Sequence, residues 1–274
     1  MGALHAGHLA LVRRARDENA SVVASIFVNP LQFGPHEDFA KYPRAFERDS
    51  ELLAENGVDL LYAPSVERMY PPDFAATVDT GALATRFEGA RRPGHFAGVA
   101  TIVAKLLHAI EPTSLYLGQK DVQQTAVLRA MVRDLDMATN IVVVPTVRDA
   151  EGLALSSRNA YLSPAQRAAA PSLYRALSAV ARAVEAGETD PARACAAGAG
   201  LLEAPLEWDY LAVVNPATFV ELARAARPAV AIGVARAGAT RLLDNVTIPS
   251  PAGIDPVLTP LRPLPRAAAL RSMK

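Results

Sequence analysis

The first 145 residues alternate short, unbroken apolar runs with longer stretches of helical periodicity, and this alternation restricts the fold more than any other feature. The runs are Ser21–Val28, Leu60–Ala63, Ser114–Gly118 and Ile141–Pro145. None shows the polar–apolar alternation of a strand with one wet face, so they predict strands buried on both sides. Helical patterns fill the spaces between them, at His8–Asn19, Arg44–Asn56, Gly98–Glu111 and Lys120–Asp134. Gly57 stands where the second of these should stop before the next strand. Such alternation implies an α/β chain with a doubly wound parallel sheet, whose ligands lie beyond the carboxyl ends of its strands.

The pattern changes after Leu162. Ser163–Gly187 reads as one long Ala-rich helix with Pro164 in its first turn. The runs "WDYLAVVNP", "PAVAIGVARAG" and "TRLLDNVTI" then read as three strands separated by a helix and turns, which makes a smaller α+β C-terminal domain. The expected division is a nucleotide- and substrate-binding domain over 1–147, the smaller domain over 148–249, and a Pro-rich, disordered tail over 250–274. Twenty-eight basic residues balance 28 acidic ones. A nucleic-acid or membrane-surface partner, which needs a basic excess, is therefore not expected. No apolar run approaches the about 18 residues that a membrane span needs. The one cysteine, Cys195, excludes an internal disulfide and suits a reducing cytoplasm.

Chemistry-bearing residues gather where strands should meet helices. The opening "MGALHAGH" sets His5 and His8 around Gly7 at the start of a helix, whose unpaired N–H groups and positive dipole end suit a phosphate. No Asp, Glu or Cys stands beside the two histidines to complete a zinc set. Asn29 and Gln32 follow the first apolar run and can offer both donors and acceptors to a small polar substrate. Arg91, Arg92 and His95 precede a helix, and an arginine there suits phosphate or carboxylate. Gly118, Lys120 and Asp121 sit at a further junction, with Gln124 one helical turn beyond Lys120. Ser156, Ser157 and Arg158 bring two hydroxyls and a guanidinium after a Gly-containing loop. Each stretch by itself is a weak signal that solvated surface would also explain. Four junctions suited to a polyphosphate on one side of one sheet point instead to a nucleotide site.

The stretches "MGALHAGH", "SIFVNPLQFGPHEDFAKYPR", "RRPGHFAGVATIVAKLL", "LGQKDVQQ", "PTVRDAEGLALSSRNAYLS" and "TRLLDN", in that order, closely resemble the pantoate–β-alanine ligase family, within the HxGH nucleotidyltransferase group. The resemblance implies a Rossmann-like fold. It also implies a two-step reaction in which pantoate and ATP give pantoyl adenylate and pyrophosphate, and β-alanine then displaces AMP to give pantothenate. Carried over residue by residue, it implies an ATP site formed by Met1, Gly2, Ala3, Leu4, His5, Ala6, Gly7 and His8, by Gly118, Gln119, Lys120 and Asp121, and by Val147, Leu155, Ser156, Ser157 and Arg158. His8, His5, Lys120 and Arg158 take the catalytic roles, with His8 the usual proton donor. Gln32 and Gln124 would bind pantoate, Gln32 also reaching β-alanine, with Asn29 and Arg92 helping at the same cleft. Mg²⁺ would bridge the phosphates, with Asp49 as an outer contact, and the chain would form a homodimer.

Two departures from the family pattern stand out. Leu155 replaces a common Met, a volume-conserving apolar swap. The family also carries a helix and a first strand ending in Pro-Thr ahead of "MGALHAGH". That central strand is expected to be missing here, leaving open ladder groups on its neighbours. Two other readings stay open at this point. A related HxGH adenylyltransferase should lack "FVNPLQFG" and the paired glutamines of "DVQQ", and an ATP-binding homologue without activity would share the motifs.

Overall fold

The computed structural model describes residues 2–34, 39 and 44–260. The first half runs α1 (Ala6–Glu18), β1 (Val23–Ser25), α2 (Phe46–Glu55), β2 (Leu60–Tyr62), α3 (Val66–Met69), α4 (Glu88–Arg91), α5 (His95–Ile110), β3 (Ser114–Gly118), α6 (Val122–Asp134) and β4 (Asn140–Val144). Local signals set several of these ends. Gly57 takes φ +80° just past α2, where the stop was expected, and its N–H caps the Ala54 carbonyl at 3.0 Å.

The α/β character is as expected, but the four strands do not form one continuous sheet. β1 pairs in parallel with β2, Val23 opposite Leu60, and β3 pairs in parallel with β4, Ser114 opposite Asn140. No ladder joins the two pairs among the described residues. A cavity of about 690 Å³ lies between them, bordered by Val22–Ile26 on one side and Ser114–Gly118 on the other. The eight-residue run Ser21–Val28 therefore yields only three paired residues, because a strand extends only as far as a neighbour holds its backbone.

α5 and α6 carry most of the first core. Phe96, Val99, Val127, Leu128 and Met131 pack with Ile141 and Val143 of β4, all nearly or fully removed from solvent. β4 reads as a continuous apolar run because it is buried on both faces.

The second half runs α7 (Pro164–Ala169), α8 (Ser172–Glu185), α9 (Pro191–Ala199), β5 (Glu207–Val214), β6 (Ala229–Ala237) and β7 (Thr240–Ile248). The long helix expected from Ser163 is two helices. Ser163 and Gln166 cap α7 reciprocally with Pro164 in the first turn, but Pro171 has no N–H to continue the ladder, and α8 starts anew behind it. β5–β6–β7 form an antiparallel sheet. β6 and β7 are joined by a two-residue turn whose first position, Gly238, takes φ +62°. No helix separates β5 from β6, contrary to the sequence pattern, because Asn215 closes a turn by accepting from Ala217 and Thr218 N–H. Leu173, Leu177 and Val180 of α8 cover Ala229, Ala231 and Ala235 of β6, where small side chains let helix and sheet approach closely.

Part of the stretch 250–260, expected within a disordered tail, packs instead, around Val257. Val257 is buried, and the Arg129 guanidinium donates to the carbonyls of Pro256, Val257 and Thr259 at 3.0, 2.6 and 2.6 Å. Residues 261–274 of that expected tail lie outside the described residues.

An ion network joins the two halves. Arg241 of β7 meets the Glu88 carboxylate of α4 at 2.8 and 2.6 Å and Asp209 of β5 at 2.8 Å. Arg91 reaches Asp209 at 2.9 Å, and the Tyr210 hydroxyl donates to Glu88 at 3.1 Å. Burial alone would raise Asp209, but hydrogen bonds from Arg241, Arg91 and Arg236 bring its carboxyl down to about 2. Charges this poorly hydrated are tolerable only in matched geometry, so the network fixes how α4 sits on the C-terminal sheet.

Candidate active site

The two histidines owe their placement to helix capping. His5 stands at the N-cap of α1, and its Nδ1 accepts the Gly7 N–H at 3.1 Å. His8 turns its own Nδ1 back to accept the His5 N–H at 3.3 Å. With Nδ1 acting as acceptor in both rings, the proton of each neutral imidazole sits on Nε2. The ring centroids lie 4.1 Å apart, leaving two N–H donors at a helix start that carries no acidic residue. Gly7 leaves room for this arrangement, since a Cβ there would come within 2.9 Å of the His5 ring and push it aside.

The loop in front is held by Asp49 of α2. Its carboxylate oxygens accept from Ala3 and Leu4 N–H at 2.6 and 2.8 Å. Buried and turned to this backbone, Asp49 shapes the histidine loop rather than the cleft. Lys120 projects from a turn at the carboxyl end of β3, with its Nζ 3.7 Å from Asp121. Asn245 of β7 pins that turn by donating to the Gln119 and Lys120 carbonyls at 2.9 and 3.0 Å.

The stretch carrying Ser156–Arg158 is held from the same strand. Arg148 forms a two-pronged pair with Asp244 at 2.5 and 2.9 Å and stacks on Tyr174, while Leu155 N–H bonds to Val147 C=O at 2.9 Å. Ser156 caps the following turn by accepting the Arg158 N–H.

Opposite these lies a carboxamide corner. Asn29 donates to the Gly98 carbonyl and to Gln32 Oε1, at 3.0 and 3.2 Å. Arg92 and His95 both reach the Gln32 carbonyl, at 3.2 and 2.8 Å. Close approach is possible because residue 98 is glycine: a Cβ would stand 2.3 Å from the Leu31 carbonyl oxygen.

One cleft unites these parts. Leu4, His5, Gly7 and His8 line it with Gly118, Lys120 and Asp121. Val147 and Leu155–Arg158 close one side, and Gln32, Arg92, His95 and Gln124 the other. The sequence profile of the family described as pantoate-beta-alanine ligase matches residues 1–247. The chain belongs to that ligase family.

Two relatives and two solved structures support the assignment. Pantothenate synthetase from Acidobacterium capsulatum is 53% identical, the match covering 90% of this chain and 84% of that protein. Pantothenate synthetase from Thermus thermophilus is 54% identical, over 90% and 91%. A crystal structure of the Thermus thermophilus enzyme superposes with a TM-score of 0.87 over 91% of each chain, at 53% identity. A pantoate-beta-alanine ligase from Francisella tularensis, complexed with beta-gamma ATP and beta-alanine, gives 0.71 at 33% identity, covering 90% of this chain and 87% of that one.

Measured against the sequence expectation for this ligase, most of the named residues reach the cleft, and several stand behind it. Asn29, Asp49 and Gln119 are buried supports of Gln32, the histidine loop and the Lys120 turn. Gly2, Ala3 and Ala6 shape the loop without lining the cleft. Met1 lies outside the described residues. Arg91 turns away to Asp209. His95 was singled out without a role of its own, and Asp244 and Asn245 escaped assignment. The last two lie in "TRLLDN", which carried the resemblance without a role.

Burial first, and then the charge of His5, pushes His8 down to about 3; burial and then Lys120 lower His5 as well. Both rings are therefore neutral at pH 7. A buried neutral histidine binds its proton less readily folded than unfolded. Its contribution to stability is complete above the ordinary value of 6.5 and is lost as pH falls from there toward about 3. Stability measured by urea titration is expected to fall over this window, and His8→Ala to reduce the slope. An unchanged slope would count against a buried neutral His8.

Proposed function

We propose that this chain joins pantoate to β-alanine with ATP, through a pantoyl adenylate. What carries the reading is the convergence of two imidazole N–H donors, the α1 N-terminus, Lys120 and the Ser156–Arg158 turn on a cleft that also holds Gln32 and Gln124. The first group matches a triphosphate, the second a small hydroxy acid.

In the first step the pantoate carboxylate attacks the α-phosphorus. The bond from that phosphorus to the bridging oxygen breaks, and pyrophosphate leaves with the electron pair. Negative charge grows on the phosphate oxygens, and His5, His8, Lys120, Ser156, Ser157 and Arg158 counter it by hydrogen bonds and charge. The anion itself raises the imidazoles' proton affinity, so His8 takes up the second proton that a donor needs more readily once ATP is bound. In the second step the β-alanine amine attacks the acyl carbon, the bond to AMP breaks, and the ammonium proton passes to solvent. Gln32, Gln124 and Arg92 orient both acceptors, so most of the acceleration comes from positioning.

Among the described residues no group of three or more His, Cys, Asp or Glu could hold a metal ion. Mg²⁺ would arrive on the triphosphate, and no step is assigned to it. The family resemblance carries a cytoplasmic homodimer with it, which sedimentation tests as a doubled mass. Among the described residues no helix is long and apolar enough to cross a membrane.

The deciding experiment is isotope exchange between ATP and pyrophosphate. Exchange that requires pantoate, followed by AMP and pantothenate release on adding β-alanine, is expected. Exchange with another acceptor would replace this reading with a related adenylyl transfer, and no exchange with any acceptor would overturn it.

A further inference from the structure

Behind Gln32 stands a side chain that nothing above assigns to the reaction. Tyr70, just past α3, donates its hydroxyl to Asn29 Oδ1 at 2.7 Å, across 41 residues of sequence. Its ring is fixed independently of that hydroxyl, 4.9 Å from Phe74 and 6.1 Å from Phe27, centroid to centroid. Burial pushes the phenol up to about 12, so it remains a donor at any working pH.

Asn29 is almost completely buried, and two backbone groups identify the ends of its carboxamide. Leu31 N–H donates to Oδ1 at 3.3 Å, and Nδ2 donates to the Gly98 carbonyl at 3.0 Å. The other Nδ2 donation goes to Gln32 Oε1 at 3.2 Å. Of the two bonds holding Asn29 Oδ1, that from Tyr70 is much the shorter. Oxygen toward Asn29 means that the Gln32 –NH₂ group points the opposite way.

We propose that Tyr70 is a positioning residue for the acceptor-binding corner: its hydroxyl holds Asn29, and Asn29 sets the direction of the Gln32 carboxamide. The inference rests on the ligase reading for Gln32's partner, but the relay itself is a property of the fold. Removing the hydroxyl leaves a buried oxygen with one long bond, and Asn29 then shifts to improve it. The Gln32 amide is released from one orientation, at a site where small misplacements are costly.

Tyr70→Phe tests this, because it deletes one atom and keeps the ring against Phe27 and Phe74. In pantoate-dependent exchange, KM for pantoate is expected to rise about 10-fold while KM for ATP stays unchanged, with a cooperative thermal transition preserved. Independently, the Gln32 side-chain amide resonances, assigned by their loss in Gln32→Ala, are expected to shift in Tyr70→Phe. Wild-type kinetics, an equal rise in both KM values, static Gln32 resonances, or loss of the fold would each overturn the proposal. If the unaltered protein shows no pantoate-dependent exchange, the ligase reading falls and the resonances alone decide the relay.

Discussion

Lys120→Ala is expected to lower pantoate-dependent ATP–pyrophosphate exchange by a factor of about 100–1,000 while leaving the fold intact. The turn that presents Lys120 is held by its main chain, through the bonds from Asn245 to the carbonyls of Gln119 and Lys120. Nothing in that clamp needs the lysine side chain, whose ammonium stands 3.7 Å from an exposed carboxylate. What is lost is a cation beside two neutral imidazoles, in a cleft where phosphate charge must be countered. His8→Ala should match it in activity but cost more stability, because it also removes the acceptor for the His5 N–H. Such caps contribute about 1 kcal/mol. Circular dichroism and thermal melting separate fold from chemistry, and wild-type exchange in either variant would remove that residue from the phosphate site.

Gly98→Ala is expected to damage the other side of the cleft. In an ordinary helix interior, alanine for glycine gains about 1 kcal/mol. Here the new Cβ would stand 2.3 Å from the Leu31 carbonyl oxygen and 2.9 Å from Gln32 N. Both neighbours are backbone, with no flexible end to yield, and overpacking of this kind costs about 1–3 kcal/mol or more. The Leu31–Gln32 turn must move away from α5, taking Gln32 from Arg92 and His95 and breaking the bond from Asn29 to the Gly98 carbonyl. Exchange should fall about 100-fold, with KM for pantoate raised more than KM for ATP, and the melting temperature should drop. A stabilised variant with normal KM for pantoate would show that the turn is not held as described.

Much of the site was legible because phosphate chemistry is written locally. A helix start, a glycine between two histidines and a cation at a strand end are each read within a few residues, and these reached one cleft. The supports were not legible, because each joins segments far apart in sequence. Asp49 reads as an outer contact for Mg²⁺ until it is seen accepting from Ala3 and Leu4, 46 and 45 residues away. Asn29 reads as a ligand-facing carboxamide until Tyr70 and Gly98 are found on both sides of it. Asn245 and Asp244 follow the alternation of a strand, and only the docking of β7 on the Lys120 and Arg148 segments gives them work.

The same division holds for the fold. Local chemistry dictated the glycine stop after α2, the capped start of α7 and the apolar runs of β3 and β4, because each depends on dihedral preference or burial over a few residues. The extent of β1 and the packing around Val257 depend on which groups find partners across the chain. Which chemistry this protein carries, and at which junctions, is written in short stretches of sequence. The tertiary structure alone decided which polar side chains face the cleft and which stand behind it, since a carboxamide or carboxylate has the same local pattern whether its partner is a ligand or a distant main chain.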